Sequence, residues 1–332
     1  MSVIESVHED HGATFRSVGG KRVVADYGRP ERTHRAVRNV AGVIELGYDV
    51  REVTGPDRIA AVERASTANV PRSDGEGCYG FVLEDGAIAA DAYVYNAGER
   101  LLALLSPGRG DRLDRALSES GAESTDLTDE LAVFSVHGSQ ATEKIASVLS
   151  TGGGAPVPAH TFVRGSMGDE GVTVVASDAP TGEAGYEVVC GIDDAKRVFD
   201  TLVNRGLNAA PFGYRTWESL TLEAGTPLFE PDLAGRSPAV LTQRGDREGR
   251  QLVGLVCEAL PDPGATVYGD GAAVGTVTRA LESPTLDEPI AFAVVAGEPT
   301  AVETDAGRVE AREASLPFVE GSERSRRLPG NR

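Results

Sequence analysis

The hydrophobic pattern changes character near residue 250, and that change limits the possible folds more than any other feature of the chain. Up to about residue 225, strand-like and helix-like stretches alternate. From Gln251 onward only short apolar runs remain: Leu252–Cys257, Gly264–Tyr268, Gly275–Thr278, Ile290–Val295 and Thr300–Thr304, separated by Gly, Pro and Asp. Strands with no helices to cover them must cover each other, so this part is expected to be a small barrel or sandwich. The polar stretch Glu230–Arg250 is the expected boundary, and the charged tail after Val319 is expected to fray.

The alternating part reads as two rounds of one order: strand, Gly-turn, helix, a pair of strands, helix. In the first round Val50–Val53 is a strand, Thr54-Gly-Pro-Asp57 a turn and Asp57–Ala65 a helix. Tyr79–Leu83 and Ala87–Tyr95 flank the hairpin signal Glu84-Asp-Gly86, and a further strand at Arg100–Leu105 leads to a helix at Gly110–Ser118. In the second round Leu131–Val136 is a strand and Gly138-Ser139 opens a helix through Leu149. Val172–Ala176 and Tyr186–Val189 follow as strands, and Asp193–Arg205 is a helix. The shared order points to internal duplication. The expected domains are 1–235, made of subdomains of about 1–125 and 126–235, then a barrel over 248–320 and a charged tail over 321–332.

Charge narrows the partners. With 51 acidic and 32 basic residues the formal net charge is −19, which disfavours nucleic acid and anionic membranes. No apolar run approaches a membrane span and residues 1–10 carry no signal-peptide core, so a cytoplasmic location is expected. Only Lys21, Lys144 and Lys196 are lysines; the other 29 basic residues are arginine. An acidic excess with few lysines suits concentrated salt, where repulsion is screened, so a halophilic protein is expected.

Local motifs exclude several chemistries. Cys78, Cys190 and Cys257 are far apart and form no CxxC or Cys/His cluster, so no metal site is expected. The Gly-rich segment 151–156 lacks a phosphate-loop ending and reads as a linker. His137 follows Ser135 without a nucleophile elbow, which argues against a serine hydrolase.

What remains are isolated acids. Asp91 stands alone in the apolar stretch Gly86-Ala-Ile-Ala-Ala-Asp91-Ala-Tyr-Val-Tyr95. Such an acid is either an edge-strand surface residue or a functional one. Glu187 is similar, in Thr181-Gly-Glu-Ala-Gly-Tyr-Glu187. Glu223 lies at a helix end before Gly225, and Trp217 is the only tryptophan. Isolated carboxylates suit a ligand rich in N–H groups, such as a pterin or a purine edge.

At these residues the chain resembles the aminomethyltransferase superfamily, the glycine cleavage T-proteins and their relatives. His34-Arg-Ala-Val-Arg38 with Ala41-Gly42-Val43 looks like "EH-x-AVR…aGlfD", and Val53–Asp57 is similar to "v-x-G-pDA". Gly86–Tyr95 resembles "GGIxDDlxvy", Thr181–Glu187 matches "TGExGxE", and Leu222-Glu-Ala-Gly225 matches "RLEAG" less its Arg. Leu252-Val-Gly-Leu255, Gly275–Thr278, Ser283-Pro284 and Pro317-Phe-Val319 resemble the C-terminal barrel. The resemblance implies an α+β fold: two related α/β subdomains around a folate channel plus a C-terminal β-barrel. It implies a tetrahydrofolate-dependent one-carbon transferase, working with a small one-carbon donor or a carrier protein. Asp91 falls on the second acid of "DD", placed against the reacting carbon. Glu187 falls on the acid that holds the pterin, and Tyr48, Tyr95 and Trp217 are the expected folate-binding aromatics.

The chain also departs from this pattern. Ala90 replaces the first acid of "DD", Trp217 the folate-binding Arg, and Thr221 the Arg of "RLEAG". A second branch, the folate-binding YgfZ proteins linked to iron–sulfur cluster maintenance, carries a Trp at 217 and "IEAGxP" where this chain has Leu222–Pro227. Its "KGCYxGQE" signature is missing after Gly225. An accessory folate binder of that type is the alternative to the transferase.

Overall fold

The protein is described by a computed structural model that covers residues 2, 4–241, 249–325 and 327. The chain divides into two compact units: Met1–Asp178 with Ala184–Thr216, and Ala179–Glu183 with Trp217–Arg332.

The first unit opens with helix α1 (Glu5–Asp10), a hairpin of β1 (Thr14–Val18) and β2 (Lys21–Asp26), helix α2 (Pro30–Asn39) and strand β3 (Gly42–Glu45). The first repeat runs β4 (Asp49–Thr54), α3 (Arg58–Ala65), β5 (Glu76–Glu84), β6 (Ala87–Asn96), β7 (Leu101–Leu105), α4 (Gly110–Leu117) and β8 (Glu123–Asp126). The second runs β9 (Leu131–His137), α5 (Ala141–Val148), β10 (Leu149–Ser150), β11 (Phe162–Met167), β12 (Glu170–Ala176), β13 (Gly185–Gly191), α6 (Ala195–Asn204) and β14 (Ala210–Pro211). The segment 151–156 is the loop between β10 and β11.

The sheet orders make the duplication explicit. One sheet is β5-β6-β7-β4-β8 and the other is β10-β11-β12-β13-β9-β3-β14. In both, a three-strand meander lies beside the strand that precedes it in sequence, with a helix after that strand and another after the meander. Each round therefore has three meander strands; the sequence pattern showed all three in the first round but only two in the second, where β11 was not recognised because Arg164, Gly165 and Ser166 interrupt its apolar alternation. The subdomains also interleave: β3 precedes the first repeat yet pairs with β9 in the second sheet.

Burial follows from strand alternation. Ala90, Ala92 and Val94 of β6 face α3 and α4, where Ala61, Val62, Leu113 and Leu117 cover them. Tyr93 and Tyr95 face the other way and meet Val133, Val175 and Val189 of the seven-stranded sheet. That sheet buries its opposite face, including Tyr186 and Val188, under α1, α5 and α6. The unit is thus layered helix, sheet, sheet, helix. At the Glu84-Asp-Gly86 hairpin Asp85 and Gly86 both adopt positive φ (49° and 78°), the geometry of a two-residue turn matched to strand twist.

The second unit contains most of α7 (Tyr214–Glu223) and a six-stranded closed barrel. Its strands are β15 (Gln251–Cys257), β16 (Thr266–Gly269), β17 (Ala272–Glu282), β18 (Pro289–Val295), β19 (Ala301–Thr304) and β20 (Gly307–Ala314). They close in the order β15-β18-β17-β16-β19-β20, with β20 returning to β15. The sequence pattern missed β20 because only Val309 and Ala311 mark its inward face and Glu313 breaks the alternation after them.

Two expectations change here. The stretch 230–241 is not a bare linker: Phe229–Leu233 forms a π-helical turn with Asp232 and Leu233 fully buried, while 242–248 lies outside the described residues. The tail does not fray at its start. The Glu323 amide donates to the Gly182 carbonyl at 2.7 Å, and Ser325 is buried; 326 and 328–332 lie outside the described residues.

Candidate functional site

Asp91 is not an edge-strand acid. It lies on β6, an interior strand, and is only 5% exposed. Its place in the alternation puts it on the intersheet face with Tyr93 and Tyr95. Tyr79 on β5 faces the same layer and donates its hydroxyl to Asp91 Oδ2 at 2.9 Å. Ser106, the first residue past β7, donates to Oδ1. A carboxylate held by two hydroxyls is fixed in orientation.

Tyr93 extends the layer. Its ring centroid is 5.0 Å from that of Tyr79, and its hydroxyl donates to Asp178 Oδ1 at 2.8 Å. The His160 ring lies 5.6 Å from Tyr93, and His160 itself has a positive φ of 65°. Tyr95 stacks nearly parallel to Tyr93 at 6.3 Å and meets Phe162 edge-on at 6.2 Å. It is 2% exposed, and a side chain at Gly77 would collide with its ring, so only glycine fits there.

Glu187 comes from the other sheet. On β13 it alternates with Tyr186 and Val188, which face the helices, so Glu187 points into the intersheet layer beside Val189. It pairs across the ladder with Ser135 on β9, whose hydroxyl donates to Glu187 Oε2. Both predicted acids therefore occupy one buried layer, one on each sheet. Tyr48 lies in the turn between β3 and β4, half-buried against the same apolar cluster. It also lines a cavity of about 30 Å³ with Lys21, Glu45 and Leu131, room for a water-sized guest. Trp217 belongs to the second unit, in the first half of α7, and is 3% exposed.

Glu223 has a structural role. Its carboxylate accepts from Ser283 Oγ (2.6 Å), the Thr285 amide (3.0 Å) and Thr285 Oγ1 (2.8 Å), and its carbonyl accepts from the Phe318 amide (2.9 Å). Three resembling motifs, around Glu223, Ser283 and Phe318, thus meet in one knot.

Several site residues escaped the sequence reading: Tyr79, Ser106, Ser135, Tyr93, His160 and Asp178. Ser106 and Ser135 give no local signal, since a serine at a strand end or within a strand is ordinary. Tyr79 and Tyr93 did carry one: each lies an even number of positions from Asp91 or from its partner across the hairpin, hence on the same face. Among the described residues no group of three His, Cys, Asp or Glu side chains could hold a metal ion, and no helix is long and apolar enough to cross a membrane.

A duplicated meander-and-helix unit joined to a closed six-stranded barrel, with two buried acids facing each other's sheets, defines a narrow class of architecture. Comparison assigns it: residues 4–241 match the GCVT N-terminal domain and 250–320 the glycine cleavage T-protein C-terminal barrel domain, so the chain belongs to the glycine cleavage T-protein family. A probable aminomethyltransferase from Halobacterium salinarum is 30% identical, covering 89% of this chain and 90% of its own length. An aminomethyltransferase from Corynebacterium aurimucosum is 31% identical over 96% and 97%. The crystal structure of glycine cleavage system aminomethyltransferase T from Bartonella henselae superposes with a TM-score of 0.83 at 21% identity, covering 97% of this chain and 98% of that one, which speaks to fold alone.

Proposed function

We propose that this chain transfers a one-carbon unit from a methylamine-type donor to tetrahydrofolate. The observation that carries the reading is the pair of buried carboxylates, Asp91 and Glu187, each oriented by hydroxyl donors in one intersheet layer. Two carboxylates held in fixed orientations within one layer offer acceptors to a ligand with complementary N–H donors. The aminopyrimidinone edge of a pterin offers the parallel N–H groups a carboxylate accepts bidentately. Tetrahydrofolate supplies the nitrogen that receives the carbon. Glu187 anchors the pterin edge, Asp91 orients the reacting nitrogen and holds its proton, and Tyr48, Tyr95 and Trp217 supply apolar walls. The names of the relatives support this reading, and a carrier protein that delivers the donor is its natural partner.

Trp217 in place of an arginine favours a second reading, a folate-binding accessory protein without transferase activity. A transfer assay separates the two. The first experiment is a titration with tetrahydrofolate in concentrated salt, following Trp217 fluorescence. Saturable quenching supports both readings; no quenching, with no heat by calorimetry, removes both. Turnover of an aminomethyl donor then selects the transferase.

We also infer a cytoplasmic protein adapted to high salt, from the −19 charge, the scarcity of lysine and the likeness to relatives from Halobacterium salinarum and Haloarcula marismortui. Raising salt above about 1 M shrinks the Debye length to roughly 3 Å and relieves the repulsion among acids. The urea midpoint of unfolding should rise steadily with potassium chloride; a flat midpoint would remove the inference.

A further inference from the structure

Position 221, where "RLEAG" has its arginine, is a threonine, yet a guanidinium still reaches it. Arg279 of β17 donates through Nη1 to Thr221 Oγ1 at 2.8 Å and through Nη2 to the Thr226 carbonyl at 2.8 Å. Thr221 passes the contact on, its hydroxyl donating to the Trp217 carbonyl at 2.8 Å. The hydroxyl is thus acceptor on one side and donor on the other; the Glu218 carbonyl, at 3.3 Å, is a second and longer acceptor for its proton.

The local fold explains how a barrel residue comes to do this. The ladder between β17 and β18 shifts register between Val277 and Arg279, so two consecutive side chains, Thr278 and Arg279, turn toward the same acid instead of alternating. That acid is Asp232, fully buried in the π-helical turn. Thr278 Oγ1 donates to its Oδ1 at 2.6 Å, and Arg279 Nη2 lies 3.1 Å from its Oδ2. Arg279 is 6% exposed, and its guanidinium carbon lies 5.4 Å from the centre of the Phe292 ring. A buried arginine is tolerated only when paired, and the two terminal nitrogens of its flat fork suit several acceptors at once. These contacts all lie within the second unit.

We propose that Arg279 is a positioning residue for Trp217, supplying from the barrel the guanidinium that the family pattern carries on the helix at 221. It acts through Thr221 and sets where the first half of α7 holds the indole. The inference rests on the reading that Trp217 is a wall of the folate site.

The test compares full-length wild type, Arg279→Met, Arg279→Lys and the exchange variant Thr221→Arg/Arg279→Thr. Trp217 emission and acrylamide quenching are recorded without ligand, tetrahydrofolate affinity by titration, and kcat and KM by transfer assay. Arg279→Met should expose Trp217 and weaken folate binding about tenfold, while kcat at saturating folate changes less than about threefold. Arg279→Lys keeps the charge against Asp232 but not the fork; it should fold and still bind folate more weakly than wild type. The exchange variant should recover both the emission and the affinity. A folded Arg279→Met or Arg279→Lys protein with wild-type emission and affinity overturns the proposal. So does an exchange variant that regains thermal stability without regaining affinity. If wild type itself binds no folate, the functional reading fails, and the ligand-free emission series still decides whether Arg279 positions Trp217.

Discussion

Tyr79 donates its hydroxyl to Asp91 Oδ2 at 2.9 Å across the β5–β6 hairpin, diagonally, because Tyr79 pairs directly with Tyr93 and Asp91 with Phe81. The hairpin register therefore decides which tyrosine holds the acid and which, Tyr93, reaches Asp178 instead. Removing the acid should remove the chemistry: Asp91→Asn should lower kcat by a factor of about 10² to 10⁴ while folate affinity stays near wild type. Tyr79→Phe, which only frees the acid to turn, should cost about tenfold in kcat/KM. Steady-state transfer kinetics with a parallel folate titration check both, and undiminished turnover in Asp91→Asn would remove its catalytic role.

Glu187 should affect binding before rate. Glu187→Gln keeps the shape and loses the charge, so the tetrahydrofolate dissociation constant should rise about 10- to 100-fold. Ser135→Ala removes only the hydroxyl that orients the acid, and its effect should be smaller. Equal affinity in wild type and Glu187→Gln by calorimetry would move the pterin anchor elsewhere.

Glu223 should behave in the opposite way. Glu223→Gln leaves the Ser283 and Thr285 donors badly matched in a buried site and should cost about 2 kcal/mol of stability by urea unfolding. The kcat/KM measured well below the melting transition should stay within about twofold of wild type. A large kinetic loss without loss of stability would return Glu223 to the candidate site.

Lys144 sets a pH dependence of stability. Its ammonium is buried on α5 and donates to the Arg205 carbonyl and, at 2.7 Å, to the Leu207 carbonyl beyond the end of α6. Burial pulls its pKa down from 10.5 to about 8. The unfolded chain therefore binds the extra proton between about pH 8 and 10.5 and the native protein does not, so this group makes stability rise with pH across that window. Urea unfolding of wild type and Lys144→Met from pH 7 to 10 should show the difference between them growing in favour of wild type above pH 8. A constant difference would mean that Lys144 stays charged throughout.

The thiols follow the same burial logic. Burial raises Cys190 to about 12, with the charges of Asp194 and Glu170 adding to it, and raises Cys257 to about 11. Both should stay unmodified by a thiol reagent at pH 8 in native protein, while half-exposed Cys78 reacts; peptide mapping by mass spectrometry checks it.

What the sequence by itself determined was whatever local periodicity and short motifs encode. The change of pattern near 250 separated the barrel from the helix-bearing part, the repeated order of elements foretold a duplicated topology, and Asp91 and Glu187 stood out because an acid in an apolar strand must be accounted for. Tertiary structure decided the rest, because it depends on registers and on contacts between residues far apart in the chain. That both faces of β6 are covered, which turns Asp91 from a surface acid into a buried one, follows from two sheets stacking. That Ser135, 52 residues from Glu187, holds it follows from β9 pairing with β13. That Arg279 answers for a missing arginine at 221 follows from a bulge in β17 turning one side chain out of its alternation, a displacement no periodicity in the sequence records.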